Sequence, residues 1–328
     1  MTDGIGKVAV LGGSGFIGHA IVEELIRHGY RVTTVSRGQT PVSCAGPVER
    51  VTADRRDASG FARALTEVDA DCVVDVTAYR ADETRIAIDA FRNRVGRFIH
   101  IGTLSVYRWP FPCPVAEDWP LEEDPFNHYG FHKAGCERAI LSEPVEGLPW
   151  TILRLPAVFG PRDPFSREAR LCRQIIEERP VIVPMQPFLC QNLFVGDAAL
   201  AVRLLLESPQ TAGRVCNAGG PPFTLEDYVE LLAGLLGRQP LMMRASAQVL
   251  AQSGADLRKV PYFFEGDLVL DSRRIRDMAA FEPALGLEQA LRLTLEWLTR
   301  SDGGVMGAGA GFLRERAPGN AAEGGRLP

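Results

Sequence analysis

Short aliphatic and β-branched runs recur along the first half of the chain, at Val8–Leu11, Arg31–Val35, Val48–Thr52, Cys72–Val76, Phe98–Ile101 and Trp150–Leu153, mostly with helical or loop stretches between them. The first run carries no polar residue, as suits a strand covered on both faces. Ile17, Ile21, Val22, Leu25 and Ile26 then recur at helical spacing. Strands alternating with helices predict an α/β fold, a parallel sheet with helices on both faces. From "FGPRDPF" onward Pro161, Pro164, Pro180, Pro184 and Pro187 punctuate short segments, and "GGPPFTLEDYVELLAGLLGRQP" reads as a turn followed by an amphipathic helix. Thr224 and Asp227 make a capping-box-like start for that helix. This change of texture predicts a smaller second domain. The last stretch, 301–328, is rich in glycine and alanine and too poor in apolar residues to order itself, so it is expected to be a tail.

Between the first strand and the first helix lies "LGGSGFIGHA", in which Gly12, Gly15 and Gly18 follow a G-x-x-G-x-x-G spacing. In a strand-to-helix turn the first glycine permits the tight bend, the second lets a pyrophosphate approach the backbone, and the third lets helix pack on strand. The helix N-terminus then offers unpaired N–H groups and a partial positive charge. The chemistry predicted is dinucleotide binding. An acidic residue ending the second strand would select the free ribose hydroxyls of NAD, but "YRVTTVSRG" places Ser36 and Arg37 there. An arginine pairs with a 2′-phosphate, so NADP is favoured over NAD. "TADRRD" offers Asp54 and Arg55 as a second adenine-side pair, and Thr77 and Ala78 in "AYRADETR" are expected to form the cofactor's far wall.

Composition narrows the partners. Lys plus Arg number 36 against 41 Asp plus Glu, a formal charge of −5, which leaves no electrostatic footprint for nucleic acid or an anionic membrane. The seven cysteines include no C-x-x-C pair, which argues against a disulfide framework and against a zinc site, and no other metal site is expected. With a polar N-terminus and no apolar run of membrane-spanning length, the expected location is the cytoplasm. A small-molecule substrate is the expected partner, and a homodimer stays open.

The second informative stretch is "NHYGFHKAGCE", where Tyr129 and Lys133 stand four apart and project from one helix face. Tyrosine titrates near 10, too high for proton transfer at neutral pH, and a neighbouring ammonium is expected to lower it. Lysine in such a pair also reaches the nicotinamide ribose. Upstream, "RFIHIGTLSVY" reads as a buried strand ending in hydroxylated residues at the ligand crevice; Thr103 is the hydroxyl best placed for a substrate oxygen, with Ser105 its rival. His128 and His132 bracket Tyr129 as secondary donors or plain helix surface. Trp109, Phe111 and Trp119, in the proline-rich loop before Tyr129, either roof an apolar substrate or fill the space beneath that loop.

The glycine turn, "TLSVY", "YGFHK" and "LRLPAVFGP", in this order and spacing, resemble the extended branch of the short-chain dehydrogenase/reductase superfamily, the NAD(P)-dependent epimerases, dehydratases and reductases, over about residues 7–297. The resemblance implies a doubly wound Rossmann domain over 1–160, completed by about 191–217, and a substrate-binding domain from 161–190 and 218–300. It implies a catalytic set of Thr103, Tyr129 and Lys133. Cofactor contacts would come from Gly12, Ser14, Gly15, Phe16, Ile17, Gly18, Ser36, Arg37, Asp54, Arg55, Thr77, Ala78, Tyr129, Lys133, Pro156 and Val158. Family 4,6-dehydratases look like T-D-E where this chain has Thr103, Leu104 and Ser105, which argues against that reaction. Sugar-nucleotide enzymes tend to carry asparagine at Ala157 and arginine near Cys190 or Gln191, and neither is present. The region "MQPFLCQNLFVGDAA" also resembles an atypical branch that includes chloroplast stem-loop RNA-binding proteins, which have lost the catalytic tyrosine that this chain keeps. An NAD(P)-dependent oxidoreductase or epimerase is therefore expected, with a non-catalytic NADP-binding regulator or an RNA-binding relative as the alternatives.

Overall fold

The computed structural model describes residues 6–41, 44–254, 260–263 and 266–301; the expected tail lies almost wholly outside them. In chain order the elements are β1 (Lys7–Leu11), α1 (Phe16–Arg27), β2 (Arg31–Ser36), β3 (Val48–Thr52), α2 (Ala58–Thr66), β4 (Cys72–Asp75), α3 (Ala81–Phe91), β5 (Arg97–Thr103), α4 (His128–Leu141), β6 (Trp150–Leu155), β7 (Ala157–Phe159), α5 (Arg167–Ile176), β8 (Val181–Pro184), β9 (Leu189–Phe194), α6 (Val195–Glu207), β10 (Arg214–Asn217), β11 (Pro222–Thr224), α7 (Leu225–Leu236), β12 (Met242–Ala245), α8 (Ala247–Gln252), α9 (Arg273–Ala279) and α10 (Leu287–Ser301).

They form two compact units. The first joins Met1–Pro164, Phe188–Phe223 and Gly266–Leu287. Its seven-stranded sheet runs β10-β6-β5-β4-β1-β2-β3 with every pairing parallel. Period-two alternation sends Val8, Val10, Val74, Ile99, Ile101 and Leu153 to a core shared with α1 and α6. Ala9, Leu11, Val73, Phe98 and Ile152 point to the opposite core with α2, α3 and α4. Both faces are buried, which is why these strands read as apolar runs. The strand order reverses between β1 and β4, and a crevice outside the carboxyl ends at such a point is where doubly wound sheets bind ligands.

Segment 266–287, assigned from sequence to the substrate-binding part, packs with the first unit. Val115 N–H donates to Val269 O (2.8 Å), Asp271 N–H to Val115 O (2.9 Å) and Ala284 N–H to Asp197 Oδ1 (2.8 Å). Nothing in the local pattern of this segment announces those distant partners.

The second unit takes Phe165–Pro187, Thr224–Glu265 and Glu288–Pro328. Within it β8 pairs in parallel with β12, and α5 packs on α7. Thr224 caps α7 by accepting from Asp227 N–H (3.2 Å) while its hydroxyl donates to the Asp227 carboxylate (2.6 Å). Glu168, buried, accepts from the hydroxyls of Tyr228 (2.8 Å) and Tyr262 (2.5 Å).

Candidate active site

The glycine turn closes as the spacing requires. Gly12 has φ of +92°, a conformation that disfavours side chains, and a Cβ there would stand 2.2 Å from Thr77 Cγ2. Gly12 N–H donates to Val35 O (2.8 Å) and Gly15 N–H to Gly12 O (3.0 Å). A Cβ on Gly18 would lie 2.2 Å from Gly12 O, so α1 lies directly on the turn. Gly15 is the N-cap of α1; no side chain satisfies the first N–H groups, and the first turn holds no acid. Phe16 and Ile17 pack their side chains against the core. An uncapped, acid-free helix start behind bare backbone fits a diphosphate.

That turn borders a cleft of about 460 Å³ lined by Gly12, Ser14, Gly15, Ser36, Arg37 and Asp54 among others. Arg55 and Thr77 also reach it, and so do Arg56, Phe61, Tyr79 and Glu83, which the sequence reading did not single out. Arg56 and Tyr79 adjoin residues it did name. Phe61 is a buried residue of α2, and only the fold brings it here.

Asp54 and Arg55 do not pair. Arg56 grips the Asp54 carboxylate through Nε (3.1 Å) and Nη2 (2.6 Å), and these bonds hold that carboxyl down to about 2. Arg55 turns inward to the buried Asp75 carboxylate, donates to Thr77 Oγ1 (3.2 Å) and lies over the Phe61 ring, 4.8 Å from its centroid. A buried carboxylate without a counter-charge is costly, and Arg55 supplies that charge to Asp75. Arg37 sits at the rim, near enough to Asp54 to help lower it.

α4 carries Tyr129 and Lys133. Thr103, at the end of β5, accepts from Ser105 N–H (3.3 Å). Although Tyr129 is 48% exposed, burial is the largest influence on its phenol and raises its pKa, Tyr79 adds to the rise, and the Thr103 hydroxyl opposes it. The expected lowering by Lys133 does not appear. The lysine ammonium is buried and donates to Ala78 O (2.9 Å) and Ile101 O (2.7 Å), with His100 Nε2 at 3.4 Å. Burial, then Lys133 and Arg55, hold His100 far below its usual pKa; it is neutral and can accept from the ammonium. The three lysine donors are thus matched by three acceptors in this geometry. The Tyr79 ring stands 6.3 Å from that of Tyr129 and 5.8 Å from Lys133 Nζ. Pro156 and Val158 are buried, and Val158 packs in the core with Leu155 and Leu193.

A family model described as "NAD dependent epimerase/dehydratase family" matches residues 8–219. The chain belongs to the NAD dependent epimerase/dehydratase family. Among relatives, the chloroplast stem-loop binding protein of 41 kDa b of Arabidopsis thaliana is 24% identical over 235 residues, 67% of this chain and 60% of that protein. The 2′-dehydrokanamycin reductase of Streptomyces kanamyceticus is 26% identical over 154 residues, 47% of this chain and 43% of that protein. The chain thus spans about half the length of these two relatives. The structure of Thermus thermophilus UDP-glucose 4-epimerase in complex with NAD superposes with a TM-score of 0.70 at 22% identity, covering 90% of this chain and 99% of that one. At that identity the likeness shows the shared fold, and for this member of the family the doubly wound sheet read from sequence stands.

Other expectations resolve within the described residues. Phe111 and Trp119 pack against Tyr107, Val115 and Leu270, so they fill space beneath their loop, while Trp109 is 49% exposed. All seven cysteines are free thiols. No described helix is long and apolar enough to cross a membrane.

Proposed function

We propose that this family member is an NADP(H)-dependent oxidoreductase or epimerase acting at a carbonyl or alcohol carbon of a small molecule or sugar derivative, with Tyr129 as acid–base. The observation that carries the reading is Tyr129 one helical turn before the buried Lys133 on α4, with Thr103 ending β5, on the same unit as the glycine-turn cleft. Tyr129 exchanges a proton with the substrate oxygen, and Thr103 orients that oxygen. A bound nicotinamide supplies or removes the hydride at the carbon. Lys133, anchored to Ala78 O and Ile101 O, holds a positive charge beside the site; turning it toward a cofactor ribose requires giving up one of its present acceptors.

The chemistry present argues against a sugar nucleotide as substrate. Gln191 spends its amide on Gly220 O (2.7 Å) and on Leu270 N–H (2.9 Å), Ala157 has no donor, and Cys190 is buried. A diphosphate without cationic or amide donors binds poorly. Leu104 offers no carboxylic acid for eliminating water.

NADP over NAD rests on Arg37 at the rim and on Asp54 being engaged by Arg56. A charge-assisted bond from Arg37 to a 2′-phosphate is worth about 1.5–3 kcal/mol, roughly 10- to 100-fold in affinity. Arg37→Asp is therefore expected to erase or invert a preference for NADPH over NADH in fluorescence titrations. Equal affinity of the unmodified protein for both cofactors would sink the assignment.

The stem-loop binding relative motivates a second reading, RNA binding. Phosphate contacts release counterions and give steep salt dependence. With a net charge of −5 the chain is expected to retain no structured RNA on filters at physiological salt. Robust, salt-sensitive retention would favour the RNA reading.

A further inference from the structure

We propose that Glu122 is a positioning residue that sets Tyr129 against Thr103, acting through the side chain of Asn127. The inference rests on Tyr129 as the acid–base. Sequence alone shows Glu122 only as one of three consecutive acids in a loop.

Three pieces of chain converge on this buried residue. Its N–H donates to Val106 O (2.7 Å), at the end of the 3-10 turn that follows Thr103. Its carbonyl accepts from Arg138 Nη2 (2.6 Å), in the last turn of α4. Its carboxylate accepts from the N–H groups of Glu123 and Asp124 (both 2.9 Å) through Oε1 and from Asn127 Nδ2 (2.8 Å) through Oε2. Burial raises the Glu122 carboxyl, but the Asp124 N–H, the Asn127 amide and the Glu123 N–H outweigh it and hold it below the ordinary range. It is a carboxylate at neutral pH.

Asn127 passes this anchorage to the helix. It is the N-cap of α4, and its Oδ1 accepts from Gly130 N–H (3.3 Å). A Cβ on Gly130 would stand 2.2 Å from Ser105 O, so the first turn of α4 rests on the end of the Thr103 segment with no side chain between. Any short polar residue at 127 would cap the helix. Only one that also bonds Glu122 ties the cap to Val106, and so fixes Tyr129 relative to Thr103. Misplacement of a catalytic group by about 1 Å is enough to cost catalysis, which gives the tie its functional weight.

The test reverses the bond. In Glu122→Gln the new NH₂ faces the Asn127 NH₂; in Asn127→Asp a carboxylate faces the Glu122 carboxylate. In the double variant glutamine donates to aspartate and the contact re-forms at unchanged net charge. The full chain is labelled with 3-fluorotyrosine, and among six tyrosines the Tyr129 ¹⁹F resonance is assigned by its loss in Tyr129→Phe. Each single variant is expected to shift that resonance by more than its linewidth and to move its titration midpoint, and the double to restore both. Singles that leave Tyr129 unmoved, or a double whose shift is the sum of the two, overturn the proposal. Asn127→Ser keeps a cap and removes only the tie; it is expected to shift the same resonance with little change in unfolding midpoint, and an unmoved resonance there also overturns it. Should Tyr129→Phe retain turnover while the swap behaves as stated, the acid–base reading fails and the coupling stands. The reverse pattern rejects the coupling alone.

Discussion

Tyr129→Phe is expected to lose about 10²–10⁴-fold in turnover while titrating NADPH as the unmodified protein does. The substitution removes one oxygen and keeps the ring, which packs near Tyr79. On the proposed reading, cofactor affinity is carried by the glycine turn and the uncapped start of α1, and the substitution leaves both unchanged. The loss corresponds to about 3–5 kcal/mol of barrier, and because the proton is transferred only in the reacting complex it should fall on kcat. The raised pKa of Tyr129 in this structure makes it a proton donor at neutral pH before it is a base, as reduction of a carbonyl requires. Steady-state kinetics with NADPH titration in parallel decides the matter. Full turnover in Tyr129→Phe would route the proton through another group, and Tyr79, His128, His132 and Ser105 would be next to test.

Glu137→Ala is expected to lower stability by about 3–5 kcal/mol, a large share of what holds a domain together. Arg154 is 2% exposed and Glu137 is fully buried. The guanidinium donates to Glu137 through Nη2 (2.6 Å) and Nε (2.9 Å), to Glu117 O through Nη1 (2.9 Å), and lies over the Tyr107 ring at 4.6 Å. Deleting the carboxylate on α4 strands a cation on β6 that cannot lose its proton. Replacing both partners by apolar residues of similar volume should cost far less, since the expense lies in the unpaired charge and not in the absence of the pair. Chemical unfolding of the two variants compares these costs directly; a Glu137→Ala loss below about 1 kcal/mol would mean that water or a neighbour reaches Arg154.

The strands, the first helix, the glycine turn and the Tyr129–Lys133 spacing were legible in the chain because each depends on neighbours a few residues away. Val8–Leu11 is apolar on both faces, Gly12 must take a positive φ, and residues four apart share a helix face wherever they occur. The run at Trp150–Leu153 was placed correctly but cut short, since β6 continues to Leu155 through Arg154, a charged residue that only the fold buries.

What the chain could not disclose is which charges meet once it has folded. Arg55 and Arg56 are adjacent and chemically identical, yet one turns inward to the buried Asp75 of β4 and the other stays outside on Asp54. Lys133 was read as a group that lowers the tyrosine; in the fold it meets Ala78 O, Ile101 O and His100, from segments that no local rule connects to α4. Glu122, one of three consecutive acids in the chain, is buried among five donors and acceptors. Backbone conformation follows from steric and periodic rules that act over one turn or one pleat, so the sequence by itself determined the sheet, the turn and the shared face of Tyr129 and Lys133. The partner of a charged group in a poorly polarisable interior is decided by whichever opposite charge or dipole the topology brings within a few ångströms, and that only the tertiary structure decided.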